Sequence, residues 1–208
     1  ADMDSARLSE KYTMAGKRLH AVYDFDLINT SPEPEKLIAL HDALASHALP
    51  HAFGGALAVA WCTGRARGTI DIDVNVFVDA DRAGEVLEAL PESVERTEHS
   101  EVELAREGQI RLWWDRTPVD LFLDTTDFHR EAAARVRIET FLDQPVPFLA
   151  CDDLAVFKAF FDRTKEWADL EEMQAVSTID LDRIVATILR YLGADDPRVR
   201  KLLALRRV

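Results

Sequence analysis

Two stretches of this 208-residue chain carry the residue types best suited to chemistry. They are Phe53-Gly54-Gly55-Ala56-Leu57 and, fifteen residues after the second glycine, Ile70-Asp71-Ile72-Asp73-Val74. Glycines at the start of a helix let backbone N–H groups and the helix N-terminus approach phosphate oxygens. On a strand, Asp71 and Asp73 project to the same side, roughly 6.5–7 Å apart. A third carboxylate from a neighbouring strand would complete an oxygen-rich pocket of the kind Mg2+ shares with waters and substrate phosphates. Metal held there can stabilise the attacking and leaving oxygens of a displacement at phosphorus. Each feature also has a plainer reading. Gly-Gly before a helix is often only a turn, and in a chain with 38 acidic residues an Asp-Ile-Asp run often just solvates an edge strand.

The elements that position these residues follow from periodicity. Ser31 and Pro32 read as a helix entry, followed by Leu37, Leu40, Leu44 and Ala48 at helical spacing. His41 borders that face as a core-edge histidine. An extended passage over Leu49 to Phe53 feeds the glycine turn, and Ala56 to Cys62 is apolar throughout, as in a helix packed against a sheet. In a strand over Ile70 to Val78, alternation places Ile70, Ile72, Val74, Val76 and Val78 on one face and Asp71, Asp73, Asn75 and Phe77 on the other. A helix over Asp81 to Leu90 ends at Pro91. Strands are expected near Val102 to Arg106, Gln109 to Trp114 and Val119 to Leu123, the last two joined by a turn at Asp115 to Pro118. In the last strand Val119, Leu121 and Leu123 share one face, which leaves Asp120 on the other as the candidate third carboxylate.

Beyond Asp127 come a basic amphipathic stretch to Arg137, a strand or extended passage from Ile138 to Leu149, and then helices. Asp152 caps the first through Phe161. Others cover Lys165 to Ala175 and Asp180 to Leu192, with Gly193 as an αL residue past the end, and a last helix ends the chain. A helix over Leu8 to Val22 is also expected. The organisation is an amino-terminal segment over 1–30, an α/β core over 31–149 and a helical carboxyl-terminal portion over 150–208.

Arg67 and Thr69 precede Asp71 by four and two residues, at the entrance of the same pocket. Arg67 suits a phosphate, or is simply a loop arginine; Thr69 shares the parity of Asp71, or is an ordinary strand threonine. A phosphoryl group on Thr69 would add about −1.5 to −2 charge beside the metal position and silence it, a device open to a partner protein.

Composition sets further bounds. The formal charge of −13 argues against general affinity for nucleic acid, which is held through Lys and Arg, and suits a cationic small-molecule acceptor. Local basic runs at Arg65 and Arg67, His129 to Arg137, Lys158 to Lys165 and Arg198 to Arg207 leave a nucleic-acid track open. No apolar run spans a bilayer. The first ten residues carry acids and lack the core of a secretory signal, and the missing initiator Met suggests trimming or an artificial junction. Cys62 and Cys151 lack metal-ligand spacing and read as buried free thiols in a reducing cytoplasm. The six histidines (His20, His41, His47, His51, His99, His129) are scattered, so no zinc site is expected.

Taken together, Gly54-Gly55 and Arg67-Gly68-Thr69-Ile70-Asp71-Ile72-Asp73 resemble the GG…RxTxDID motif of the DNA polymerase β-type nucleotidyltransferase superfamily. A second segment, Leu154 to Lys165 followed by Asp169-Leu170-Glu171-Glu172, is similar to the helical K-A-x-x-x-R…K…D-x-x-D region of the AbiE-toxin-like nucleotidyltransferases of bacterial toxin–antitoxin systems. Glu172 stands in place of the second Asp, and Asn75 stands where an apolar residue is common. The match spans about Phe53 to Met173.

This resemblance implies an α/β (α+β) fold, with a nucleotidyltransferase-type mixed sheet flanked by helices and a helical carboxyl-terminal portion that completes the nucleotide site. It implies a metal-dependent enzyme moving a nucleoside monophosphate from an NTP to an acceptor hydroxyl. Asp71, Asp73 and Asp120 would be catalytic and would bind Mg2+ or Mn2+, with Asp120 as general base. Gly54, Gly55, Arg67, Thr69, Lys158 and Asp169 would line the nucleotide. Lys158 would meet the triphosphate and Asp169 would orient nearby basic groups, although the residues alone read as exposed helix charges. The acceptor implied is tRNA or protein, with an antitoxin as partner. Antibiotic-modifying members, acting on aminoglycosides or lincosamides, have a similar spacing and form the alternative. A non-catalytic nucleotide- or partner-binding module is the competitor from another class.

Overall fold

The computed structural model describes residues 34–65 and 68–207. The expectations for the first 33 residues, and for Arg67, lie outside the described residues. The chain forms two compact units, one from residues 34–57 and 68–149 and the other from residues 58–65 and 150–207. Among the described residues no helix is long and apolar enough to cross a membrane.

The first unit is a mixed sheet with helices. Its strands are β1 (His51–Phe53), β2 (Ile72–Asp79), β3 (Val94–Glu95), β4 (Gln109–Trp114), β5 (Thr117–Asp124), β6 (Arg137–Phe141) and β7 (Gln144–Phe148). They are ordered β3-β4-β5-β2-β1-β7-β6. β2 runs parallel to β5 and β1 parallel to β7; the other neighbours are antiparallel. Alternation holds on the central strands, where Ile72, Val74, Val76, Val119, Leu121 and Leu123 are fully buried. Helices α1 (Pro34–Ser46), α3 (Ala83–Ala89), α4 (Ser100–Glu107) and α5 (Asp127–Ala133) add Leu37, Leu40, Leu44, Val86, Leu104 and Phe128 to this core. The helix α2 (Gly55–Thr63) starts in this unit and passes into the other after Leu57.

Several local expectations change. The strand expected at Val102 to Arg106 is helix α4 instead: only Leu104 of its apolar pair is buried, and Val102 is exposed. Glu101 and Glu103 in its first turn, Arg106 in its last and Gly108 at φ 67° past its end are all favourable helix-terminus residues. Ile70 lies outside β2 and is 57% exposed, so Asp71 sits just ahead of the strand rather than within it. Thr117 and Pro118, expected in a turn, begin β5, and the turn is confined to Asp115 and Arg116. The passage from Ile138 to Leu149 is a hairpin of β6 and β7. Leu142 and Asp143 form its two-residue loop at φ 46° and 62°, the positive values that match the twist of paired strands. The short edge strand β3 has no counterpart among the expected elements.

His41 pairs with His51, Nδ1 to Nε2 at 2.9 Å, and the other ring nitrogen of buried His51 lies 2.8 Å from the Leu49 carbonyl. A carbonyl only accepts, so His51 carries its proton on Nδ1 and accepts from His41 through Nε2. Burial lowers the pKa of both rings, in His51 against the Leu49 carbonyl and with help from His41.

His129 on α5 is a half-buried ring, 2.9 Å from the Thr126 hydroxyl. Desolvation first, and Arg130 second, lower its pKa to about 4. The unfolded chain binds this proton below about 6.5 and the folded one only below about 4. His129 therefore contributes stability above pH 6.5 that is lost as the pH falls toward 4, at most about 3 kcal/mol. Urea unfolding at pH 7.5 and 4.5 should show a smaller acid loss in His129→Gln than in the wild type.

The second unit is helical. It comprises the later part of α2 with α6 (Cys151–Phe161), α7 (Thr164–Ala175), α8 (Leu181–Leu192) and α9 (Pro197–Ala204), around Leu154, Ala155, Leu170, Met173, Ile184, Ile188 and Leu202. Asp180 caps α8 by accepting from the amides of Asp182 and Arg183. Asp152 does not cap α6. Ala150 takes that position, and the Asp152 carboxylate accepts from the Asp180 amide and pairs with Arg183. Gly193 has the positive φ expected of it, 80°, but its ψ of 168° places it outside the αL region.

The free-thiol expectation is overturned. Cys62 on α2 and Cys151 on α6 form a disulfide, with Cα atoms 5.7 Å apart. Separated by 89 residues, the two are brought together only by packing of the helical unit, which no local spacing reveals. The lack of metal-ligand spacing had suggested buried free thiols; both residues are buried, but as a cross-link.

Candidate active site

Gly54 and Gly55 sit between β1 and α2, against the start of β2. The Gly54 amide donates to the Asp73 carbonyl at 2.9 Å. Gly55 has φ +57°, and a Cβ placed on it would lie 1.8 Å from Asp73 Oδ2. Asp73 therefore holds its carboxylate against the first residue of α2, where unpaired amides favour negative charge. The glycine is required twice, by its backbone angle and by the carboxylate beside it. Gly54 is tight as well: a Cβ there would meet side-chain atoms of Leu149 and Asn75 at 3.2 and 3.3 Å. Asn75, the departure from an apolar residue, packs at the turn.

Gly55→Ala should cut about 100-fold the transfer activity proposed below. The left-handed angle would add about 1–2 kcal/mol of strain, and the new methyl group would push Asp73 aside. Steady-state rates alongside thermal melting check this, and full activity with an unchanged melt would contradict it.

Three carboxylates share this face of the sheet. Asp73 on β2 is the register partner of Asp120 on parallel β5, and Asp71 lies two residues before Asp73. The Thr69 hydroxyl donates to Asp71 Oδ1 at 2.5 Å. Asp71 and Asp120 keep 21% and 15% of their side-chain surface exposed, so the cluster opens to solvent at one side.

A fourth residue of the cluster escaped the sequence reading. Arg111 on β4 lies directly across from Asp120 and donates to both its oxygens, Nε to Oδ1 and Nη2 to Oδ2, each at 2.7 Å. Its Nη2 is also 3.6 Å from Asp71 Oδ2. The Asp120 hydrogen bond first, then the charges of Asp120, Asp71 and Asp73, raise the Arg111 pKa far above its ordinary value. The signal available in the sequence was the alternation of β4, with Gln109, Arg111 and Trp113 exposed between buried Ile110 and Leu112.

The donor set is chemically suited to Mg2+ or Mn2+, being three carboxylates with no nitrogen or sulfur. Among the described residues, however, no three acidic, histidine or cysteine side chains converge into a ready ion-binding cluster. Arg111 forks across Asp120, and Thr69 takes an oxygen of Asp71. Holding an ion would require Asp120 to turn from the guanidinium.

Lys158 and Asp169 lie in the helical unit and are bound to each other. Lys158 Nζ is 2.6 Å from both Asp169 Oδ2 and Glu166 Oε2, and all three residues are at least 96% buried. Arg163 reaches the other Glu166 oxygen at 2.6 Å. Burial pushes the Glu166 pKa up, but Lys158, through its hydrogen bond and charge, and then Arg163 hold it below the ordinary range. Neither Lys158 nor Asp169 is the exposed helix charge that the residues alone suggested. Glu172 pairs with Arg65 at 3.7 Å.

No family model matches the chain, and no curated protein matches it. Among solved structures, an antigenic nucleotidyltransferase-like protein from Paracoccidioides brasiliensis aligns with a TM-score of 0.51 at 13% identity, over 84% of this chain and 88% of its own. The lincosamide antibiotic adenylyltransferase LnuA, lincomycin-bound, aligns at 0.49 and 15%, over 71% of this chain and 99% of its own. ANT(2")-Ia in complex with adenylyl-2"-tobramycin aligns at 0.48 and 15%, over 84% and 97%. At such identities the likeness is one of fold: the chain has the nucleotidyltransferase-type α/β architecture of the first of these structures.

Proposed function

We propose that this protein transfers a nucleoside monophosphate from an NTP to an acceptor hydroxyl, using a divalent ion held by Asp71, Asp73 and Asp120. The observation that carries this is the approach of the Asp73 carboxylate to Gly55 at the head of α2, with Asp120 in register beside it. The backbone angle alone would call for a glycine at position 55; the carboxylate packed against it is what a plain turn leaves unexplained.

The glycine turn would present amides to the triphosphate. Asp71 and Asp73 would fix the triphosphate through the ion, Mg2+ or Mn2+, whose charge would offset that developing on the leaving group. Asp120 would take the acceptor hydroxyl's proton. The hydroxyl oxygen then bonds to the α-phosphorus as the bond to the β-phosphate bridging oxygen breaks, and pyrophosphate leaves with that electron pair. Arg67 and Thr69, from their place ahead of Asp71, and Lys158 and Asp169, from the second motif, remain proposed nucleotide residues. The chemistry belongs in the cytoplasm, where the triphosphate is; the disulfide cysteines, 2% and 3% exposed, are sheltered from thiols there.

For the acceptor, the Lys158 to Glu172 segment favours tRNA or protein and a toxin paired with an antitoxin. The charge of −13 favours the second reading, a cationic antibiotic. Incubation with each α-labelled NTP and Mg2+, with total tRNA or with aminoglycosides and lincosamides in parallel, tests both. Label in an acceptor supports transfer; absence of label with all four NTPs, and no thermal stabilisation by NTP with Mg2+, would leave a non-catalytic module.

A further inference from the structure

We infer that Arg111 is a second ligand of the triphosphate, held in reserve on Asp120, and that nucleotide and metal binding are coupled through its exchange. The inference rests on the metal-dependent transfer proposed above. Its basis is a conflict over the same atoms. Arg111 donates to both oxygens of Asp120 at 2.7 Å and approaches Asp71 at 3.6 Å. These oxygens belong to two of the carboxylates that would hold a divalent ion, so guanidinium and ion would compete for them.

The competitor is well placed to leave. Arg111 stands on β4, one strand from Asp120, and half of its side chain is exposed. Its fork fits phosphate as well as carboxylate. A triphosphate bound at the Gly54–Gly55 turn offers such oxygens. When the guanidinium passes to a phosphate, Asp120 is freed for the ion, and the ion's arrival in turn makes the return of Arg111 unfavourable. Each ligand therefore raises the affinity for the other, as linkage requires. The same exchange frees the oxygen that accepts the acceptor's proton, so Asp120 becomes a base only with triphosphate in place.

The test is binding, read without turnover. Mn2+ affinity is measured by the loss of the free-ion electron paramagnetic resonance signal, for wild type, Arg111→Met and Arg111→Lys, with circular dichroism to confirm folding. Tripolyphosphate affinity is measured by calorimetry in EDTA. Arg111→Met should bind Mn2+ alone about ten-fold or more tighter and tripolyphosphate about ten-fold or more weaker. Arg111→Lys, which keeps the charge but loses the fork, should fall between the two for Mn2+. Unchanged Mn2+ affinity in Arg111→Met overturns the inference, as does a lysine variant identical to wild type, which would mean that charge alone, not occupancy of Asp120, governs the ion. Failure of all three proteins to bind Mn2+ would instead overturn the metal reading itself.

Discussion

Asp73→Asn and Asp71→Asn should each lower labelled transfer by about 1,000-fold or more, equivalent to about 4 kcal/mol of lost transition-state stabilisation, while leaving the melting temperature unchanged or slightly raised. The substitution keeps size and removes one charge. At Asp71 it keeps an oxygen that can accept from Thr69, and at Asp73 it keeps an amide oxygen facing the head of α2. What it relieves is repulsion: three carboxylates share one face, and Arg111 forks onto Asp120 while standing farther, at 3.6 Å, from Asp71. An acid kept for structure would be missed by the fold, whereas an acid kept for an ion is missed only by the chemistry. Thermal melts with and without NTP and Mg2+ add a second readout, since the joint stabilisation expected of the wild type should vanish in both variants. Retained labelling in either variant would refute the metal role.

Legibility of this site in the sequence depended on how local each fact is. Asp71, Asp73 and Asp120 could be placed on one face because strand alternation is a property of neighbours in the chain, and Gly54-Gly55 could be read because the turn needs a particular backbone. Arg111 could not, because its meaning comes from lying across from Asp120, and strand register is set by pairing at a distance. The same holds for Cys62 and Cys151, which meet only through helix packing. Where local pattern misled, a tertiary or capping effect had prevailed. Val102 and Leu104 imitate strand alternation, yet the charges around them and Gly108 close a helix. Pro118 looked like a turn residue, yet β5 begins before β2 reaches it, since β2 pairs with β5 only from Val119 onward.

Lys158→Met should destabilise the protein by about 3–5 kcal/mol, because it leaves two buried carboxylates without their shared cation. For a chain of this length that corresponds to a fall in melting temperature of roughly 10 °C. Glu166 retains a partner in Arg163, which is more than half exposed on its side chain; Lys158 reaches Asp169 from 2.6 Å inside the helical unit. This sets a structural role against the triphosphate contact that the second motif implies, and the two can be separated. In the triple variant Lys158→Met, Glu166→Gln, Asp169→Asn no buried charge is left unpaired, so most of the lost stability should return, as a strongly non-additive cycle. If Lys158 serves only the packing of α6 on α7, tripolyphosphate and NTP affinity should return with stability. If it also meets the triphosphate, the triple variant should melt near the wild type and still bind NTP poorly. A single Lys158→Met variant that melts with the wild type would show that the buried cluster does not depend on its cation.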